Sequence, residues 1–204
     1  MQTFIAQFIA DLAQTETPPT LFNPYTYRQK ANAHRRHNLR HYLHTMSRHL
    51  PPALLVGEAP GYRGCRLTGI PFYSPALLPK DDGYRPITEW PHIQNEASAT
   101  ILRRALRPCQ PPPLIWNACP FHPHRPNQPQ SNRAPTRTEI TLGKPFLRRL
   151  HQAYGQPPLV AIGRKADKAL SRWQLPHTAI RHPSHGGKKD FIAGLRRLGL
   201  IPTP

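Results

Sequence analysis

The chain has 204 residues and carries 28 Lys and Arg against 10 Asp and Glu, which gives a formal net charge of +18 at pH 7. So large a positive excess favours a polyanionic partner, most commonly nucleic acid, over a neutral or basic one. The composition excludes a membrane-spanning helix, because no run approaches about 18 consecutive apolar residues, and the three cysteines, which form no C-x-x-C pair, are too few for a disulfide framework or a four-cysteine iron–sulfur cluster.

The first fifty residues predict two helices joined by a proline-rich link. One face of the first helix is apolar from Phe4 to Leu12, and the link runs from Pro18 to Pro24. The second helix extends from about Gln29 to His49, and its apolar stripe comprises Leu39, Tyr42, Leu43 and Met46. Its arginines lie largely off that stripe, which indicates a face toward solvent or DNA: Arg35, Arg36, Arg40 and Arg48. We expect residues 1–50 to pack as a helical extension on a single domain of residues 1–204.

From Pro52 onward, short apolar runs alternate with helical patterns. The predicted strands are Ala53–Val56, Leu114–Trp116, Leu159–Ile162 and Thr178–Ile180, all interpreted as buried. The predicted helices are Glu96–Leu106, about Thr138–Tyr154, Lys165–Trp173 and Asp190–Leu198. This alternation predicts an α/β fold, a three-layer α/β/α sandwich with a central, mainly parallel four-stranded sheet. Ligands of such folds bind beyond the carboxyl ends of the strands.

The loop after the first strand combines glycines, a carboxylate and an aromatic ring. It reads Gly57-Glu58-Ala59-Pro60-Gly61 and continues to Gly69-Ile70-Pro71-Phe72. Two glycines around a proline predict a tight turn whose backbone N–H groups can approach a ligand. Glu58 is a lone carboxylate at a strand end, and Phe72 offers a flat ring for stacking. By itself this pattern is equally typical of an ordinary turn with a solvated Glu.

Two further strands end in polar groups. Asn117 follows the second strand and carries both a donor and an acceptor, which can recognise one edge of a base. Prolines at every third position from Pro120 to Pro129 then predict an extended surface loop. The fourth strand is followed by His182-Pro183-Ser184-His185-Gly186-Gly187-Lys188-Lys189, in which small residues and lysines suit contact with phosphates. The three motifs should meet at one edge of the sheet.

Taken together, these motifs resemble the uracil-DNA glycosylase superfamily. The spacing G-x-x-G-x-x-x-T-G-x-P-F from Gly61 to Phe72 and N-x-C-P from Asn117 to Pro120 resemble its single-strand-selective monofunctional branch. Gly57-Glu58-Ala59-Pro60-Gly61, and Asn132-Arg133-x-Pro135 with Glu139, are similar to the thermostable iron–sulfur branch. His182-Pro183-Ser184 matches a motif shared across the superfamily. Because four cysteines are lacking, we expect no cluster and no cofactor.

The resemblance implies roles for individual residues. Phe72 would stack on a flipped base, Asn117 would bond its Watson–Crick edge, and His182 would donate to the uracil O2. Glu58 would lie beside the scissile bond, and the base pocket would also include Gly57, Ala59 and Gly61. The implied DNA contacts are Arg164, Pro183, Ser184, His185, Lys188 and Lys189.

Two positions depart from the family pattern. Ala59 stands where many relatives place an Asp or Asn that holds the attacking water, so either Glu58 takes over the water or the reaction depends on leaving-group stabilisation alone. Gly61 stands where the strictest relatives carry a Tyr that excludes the methyl group of thymine.

The sequence therefore predicts a monofunctional DNA glycosylase that hydrolyses the N-glycosidic bond of uracil or related damaged pyrimidines in base excision repair. We expect a bacterial, cytoplasmic, nucleoid-associated monomer whose partner is DNA containing such a lesion, without a membrane association or, given a start lacking basic residues, a signal peptide.

Two alternatives remain open. Because of Ala59, the protein could instead be a catalytically weak or inactive glycosylase-like protein that binds nucleic acid. Histidines at helical spacing suggest a metal site on the second helix, as does a second group beside Cys119. These histidines are His34, His37, His41 and His44, and then His122 and His124. Arginine neighbours and the lack of a completing Cys or carboxylate argue against a metal, so none is predicted.

Overall fold

The protein is described from a computed structural model, which covers residues 1–79, 82–86, 89 and 92–203. The helices are α1 (Gln2–Gln14), α2 (Asn32–Met46), α3 (Cys65–Thr68), α4 (Ala97–Ala105), α5 (Arg137–Thr141), α6 (Lys144–Ala153), α7 (Arg164–Arg172) and α8 (Lys188–Arg197), with a 3₁₀ turn at Pro75–Leu77. The strands are β1 (Leu21–Phe22), β2 (Leu54–Gly57), β3 (Leu114–Asn117), β4 (His122–Pro123), β5 (Leu159–Ile162) and β6 (Thr178–Ile180). Among the helices within these ranges, none is long and apolar enough to cross a membrane.

Four strands form one parallel sheet in the order β3-β2-β5-β6. Successive residues of a strand point to opposite faces, so β2, β3 and β5 each contribute to two separate cores. Leu54, Val56 and Trp116 face a core shared with α1, α2, α6 and α7, whereas Leu55 and Ile115 face a core shared with α4 and α8. The predicted three-layer α/β/α sandwich with a parallel four-stranded sheet is confirmed.

Two of the predicted elements differ from the structure in more than the position of their end residues. The helix expected over about Thr138–Tyr154 is divided into α5 and α6, because Pro145 cannot donate a helical hydrogen bond and clashes with the carbonyl four residues earlier. The division also brings Gly143 so close to the carbonyl of Ala118 that a Cβ would overlap it. Strand β6 was expected to be buried, but Thr178 and Ala179 of this edge strand are exposed, because only Ile180 packs into a core.

The N-terminal helices pack directly on the sheet layer. Phe8 of α1 contacts Trp116 of β3, with ring centroids 5.5 Å apart, and the Tyr42 hydroxyl of α2 accepts a hydrogen bond from the Ile115 backbone N–H at 2.8 Å. The proline-rich link forms β1, which pairs antiparallel with β4. These contacts support the proposal that residues 1–204 form a single domain.

One arginine of α2 departs from the expected solvent-facing position. Arg35 is fully buried, and its guanidinium bonds Asn32, the carboxylate of Glu89 and, at 3.1 Å, the carbonyl of Leu67. Burial lowers its pKa to about 10, and the ion pair with Glu89 compensates for the desolvation of the charge. Arg35 therefore joins α2 to the segment around α3 and is no candidate for contacting DNA.

Candidate active site

A cavity of about 610 Å³ opens at the carboxyl ends of the parallel strands. It is lined by nine of the predicted site residues: Glu58, Ala59, Gly61, Phe72, Asn117, Arg164, His182, Ser184 and His185. The other four do not line it, although each directly adjoins, or follows within a few residues, one that does: Gly57, Pro183, Lys188 and Lys189. The three motifs therefore meet at one place, as the strand order predicts.

Backbone register brings the base-binding candidates together. Gly57 and Asn117 are the last residues of β2 and β3, and they pair directly across the sheet. A Cβ at position 57 would lie 2.6 Å from Oδ1 of Asn117 and 2.6 Å from Cε2 of Phe72. Glycine is therefore required at the end of β2, because any side chain would displace both groups.

Asn117 is only 3% exposed, yet its side-chain amide has no hydrogen-bond partner among the described residues. Within the described ranges, neither Oδ1 nor Nδ2 forms a hydrogen bond. Neither atom is completely enclosed by protein, and the residue lines the cavity. Both atoms therefore face the cavity. Because buried amides in native proteins are almost always paired, a molecule bound in the cavity is the expected partner. This is the arrangement expected of a group that pairs with a ligand.

Phe72 adopts an unusual backbone conformation. Its φ is 53°, in the left-handed region that aromatic residues seldom occupy. Arg103 of α4 binds the loop at this point: Nε donates to the carbonyl of Phe72 at 3.2 Å, and Nη2 donates to the carbonyl of Pro71 at 3.1 Å. The same guanidinium stacks on the Tyr73 ring, 3.6 Å from its centroid. Strain of this kind at a cavity wall is typical of functional sites.

The hydrogen bonds of His182 determine where its proton lies. Its Nδ1 accepts from the backbone N–H of Ser184 at 3.2 Å and lies 2.7 Å from the Ser184 hydroxyl. Burial lowers the pKa of His182 to about 4, and the positive charges of Arg181 and of other neighbours act in the same direction. The imidazole is therefore neutral near pH 7, and with Nδ1 acting as an acceptor its proton resides on Nε2.

Glu58 is paired with a lysine that the sequence reasoning overlooked. Nζ of Lys165, in the first turn of α7, lies 3.3 Å from Oε1 of Glu58. Burial raises the pKa of Glu58, and the ammonium of Lys165 opposes that shift. The Glu58 side chain is 28% exposed and that of Lys165 is 60% exposed, so the pair is open to water.

Several contacts fix the position of the first motif loop, which follows β2 and begins at Glu58. Nδ1 of the buried His122 lies 2.7 Å from the carbonyl of Pro60, and the backbone N–H of Tyr62 donates to Oδ1 of Asn132 at 3.0 Å. Arg133, next to Asn132, forms a two-bond ion pair with Glu139 at 2.6 and 2.7 Å. The segment after β3 was expected to be a surface loop, but His122 is wholly buried because it supports the loop after β2.

Four of the six expected DNA contacts occupy an exposed rim, whereas Pro183 is buried and the Ser184 hydroxyl lies against the His182 ring. Arg164 begins α7, Lys188 and Lys189 begin α8, and His185 lies in the turn between β6 and α8; all four are exposed. Lys188 and Lys189 are the first two residues of α8, which begins two residues earlier than expected. Positive side chains at two helix N-termini suit contact with phosphates.

Three of the histidines considered as metal ligands, all on α2, have other contacts. His34 Nδ1 lies 3.2 Å from the carbonyl of Pro86, His37 Nε2 lies 2.9 Å from that of Gly83, and His41 packs edge-on against Tyr84. Across the described ranges, no group of three or more His, Cys, Asp or Glu side chains is arranged to hold a metal ion.

Two cavity features had no sequence signal. Arg103 and Glu96 lie in or next to α4, far from any motif, and only the packing of α4 against the first loop brings them to the cavity region. Lys165 directly follows Arg164, a predicted DNA contact, and lies in the first turn of the helix after β5. This position could have indicated from the sequence that Lys165 lies near the site.

A sequence model described as the Uracil DNA glycosylase superfamily matches residues 43–199, which include all three motifs. No curated protein sequence matches the chain. The crystal structure of wild-type SMUG2 from Pedobacter heparinus is similar to this chain, with a TM-score of 0.69, 17% sequence identity, and coverage of 97% of each chain. At that identity the similarity concerns the fold.

Proposed function

Because this chain belongs to the uracil-DNA glycosylase superfamily, we propose that it is a monofunctional DNA glycosylase acting on uracil or a related damaged pyrimidine. The observation that carries the proposal is the amide of Asn117, which has no partner in the described part of the chain and lines the same cavity as the Phe72 ring and the His182 imidazole. An amide donor and acceptor beside a flat ring match the edge and the face of a base. The target base must leave the DNA stack to enter, which costs a few kcal/mol.

His182 is the proposed donor to the leaving group. When the bond between C1′ and N1 breaks, the electron pair goes to the base, and negative charge accumulates on its oxygens. Nε2–H of a neutral His182, fixed by Ser184, can donate to that oxygen. One preorganised donor of this kind contributes roughly 3–4 kcal/mol of transition-state stabilisation.

Glu58 is the proposed partner of the sugar and the water. The deoxyribose becomes cation-like as the base departs, and an ionised carboxylate stabilises positive charge while accepting a proton from water. Water adds its hydroxide to C1′, and its proton passes to Glu58. Since Ala59 offers no polar group, Glu58 carries this role alone.

The proposed partner is DNA that contains the lesion, bound through the exposed basic rim. We further propose that the protein works as a monomer in base excision repair, in the compartment that holds the chromosome. A net charge of +18 supports the DNA partner.

The proposal is tested by incubating the protein with end-labelled oligonucleotides that carry uracil in a G·U pair, in an A·U pair or in a single strand, followed by hot alkali. A glycosylase leaves an abasic site, so alkali cleaves the strand at the uracil position, and cleavage without alkali is not expected of a monofunctional enzyme. An intact strand together with a gel shift would instead favour the binding-only alternative that Ala59 raises.

A further inference from the structure

A second carboxyl group shares the cavity with Glu58 and has no role in the reaction described above. Glu96 is the N-terminal capping residue of α4, but its side chain caps nothing and lies against the first loop. A Cβ at Gly61 would lie 3.1 Å from Oε2 of Glu96, and a Cβ at Gly64 would overlap that oxygen. The loop glycines therefore make room for this carboxyl.

The two oxygens of Glu96 have different surroundings. Oε1 accepts a hydrogen bond from the Ser98 hydroxyl at 2.6 Å. Oε2 has no partner among the described residues, and it is not one of the fully enclosed unpaired atoms, so it reaches the cavity that Glu96 lines. If the group is neutral, its proton belongs on Oε2, because Oε1 is already an acceptor.

Of the two carboxyl groups in the cavity, Glu96 has the surroundings that disfavour the charged form more strongly. In the described part of the chain, no lysine or arginine forms an ion pair with it, and the titratable group facing it from α3 is the buried Cys65 thiol. Burial raises the pKa of Glu96, and only the bond from Ser98 opposes this. Glu58, by contrast, has the ammonium of Lys165 at 3.3 Å. Two carboxyl groups in one site whose environments differ in this way usually have different roles.

We propose that Glu96 is a specificity-determining residue of the base pocket, which donates a hydrogen bond from Oε2 to an oxygen of the bound base. The inference rests on the proposed function, since it assumes that the cavity receives a base. Once a bound base has displaced water from Oε2, a carboxyl O–H favours a carbonyl or hydroxyl oxygen and disfavours an apolar group, which would leave the polar group unpaired.

Binding measurements can test this without turnover. The probe is an oligonucleotide with 2′-fluoro-deoxyuridine, whose glycosidic bond resists hydrolysis, and the reference is the same duplex with a tetrahydrofuran abasic analogue. Glu96→Gln keeps an N–H donor and an acceptor, whereas Glu96→Met keeps the length and removes both. Glu16→Met is the matched control, since Glu16 is exposed and distant in sequence from the motifs.

We expect Glu96→Met to bind the 2′-fluoro-deoxyuridine duplex about tenfold more weakly than the native protein, the factor that one ordinary hydrogen bond contributes. Glu96→Gln should stay within about threefold, and all variants should bind the abasic duplex equally. The inference would be overturned if Glu96→Gln and Glu96→Met lost affinity equally, if Glu96→Met lost as much affinity for the abasic duplex, or if Glu96→Met lost none. A native protein that shows the expected contrast but never produces alkali-labile sites would instead overturn the proposed function alone.

Discussion

The two sides of the cavity are built in different ways. On one side, the end of β2 and the loop that follows it are packed so closely that Gly57 and Gly64 cannot carry a side chain. On the other, the turn after β6 is buried at Pro183 and Gly187 but exposed at its tip, His185 and Gly186, where a Cβ at Gly186 would meet no described atom within 4 Å. The close-packed side holds the groups proposed to recognise a base, and the open side holds those proposed to contact phosphates. Recognition of a base requires fixed geometry, whereas phosphates can be bound by mobile charged side chains.

His182 lies where the two sides meet, and its removal should have the largest effect. It follows the edge strand but is held by Ser184, so it provides a fixed donor on the otherwise open side. We expect His182→Ala to lower kcat for uracil release by about 10²- to 10³-fold, the usual cost of losing one donor to a developing anion. The measurement is single-turnover excision from a G·U duplex.

Affinity of His182→Ala for undamaged DNA should match that of the native protein, since the donor acts only on the leaving base. A variant that retains native turnover would show that the fixed donor lies elsewhere.

Arg103 allows a sharper test of the close-packed side. It bonds the carbonyls of Pro71 and Phe72, and without it the left-handed conformation at Phe72 loses its support. We expect Arg103→Ala to lower kcat/KM about tenfold, because hydrogen bonds from a charged donor contribute about 1.5–3 kcal/mol each and only part of this positions the ring.

Arg104→Ala is the matched control, since Arg104 is the next residue of α4, has the same charge, and is exposed. Arg103→Lys should recover part of the loss by restoring one bond. Equal rates for the two alanine variants, measured with thermal unfolding to confirm folding, would contradict a positioning role for Arg103.

Lys165 links the two sides, and its removal should change the pH dependence more than the maximal rate. The active form of Glu58 is the carboxylate, so activity is lost as pH falls through the pKa of Glu58, which burial already raises. Without the ammonium of Lys165 that pKa rises further, and the acidic limb of the kcat profile moves to higher pH. On that limb we expect Lys165→Met to lose on the order of fivefold, the upper range for a water-exposed ion pair.

Lys165→Arg should keep the native acidic limb, since it retains the charge beside Glu58. An unchanged limb in Lys165→Met would show that Glu58 does not need the ion pair.

The sequence predicted the sheet and the motif loops because strand patterns and glycine-proline turns are local signals. Gly57, Asn117 and His182 could be placed at strand ends, and parallel strands bring such ends together. The division between α5 and α6, the burial of Arg35 and the arrival of Arg103 and Glu96 at the cavity region depend on contacts between segments distant in the chain. No periodicity encodes such contacts, and Arg35 in particular has the pattern of a solvated residue until Glu89 is placed beside it.

The exposed lysines of α8 should have the smallest effect on turnover, and they test the open side directly. Lys188 and Lys189 lie in the first turn of the helix, outside the cavity wall, so they can add charge to binding but cannot touch a base. Replacing both with Ser should leave kcat at saturating DNA within about twofold, because the change removes binding that is equal in the ground and transition states. The slope of log affinity against log salt on duplex DNA should become shallower by about 0.9 for each phosphate that the variant no longer neutralises. A titration of affinity between low and moderate salt, read beside single-turnover rates, measures both quantities on one sample.

If the slope stays the same and kcat falls, the lysines act on the reaction and the division between a fixed side and a charged side is wrong. If the slope flattens while kcat holds, the open side contributes only attraction, and the chemistry belongs to the groups fixed at the strand ends.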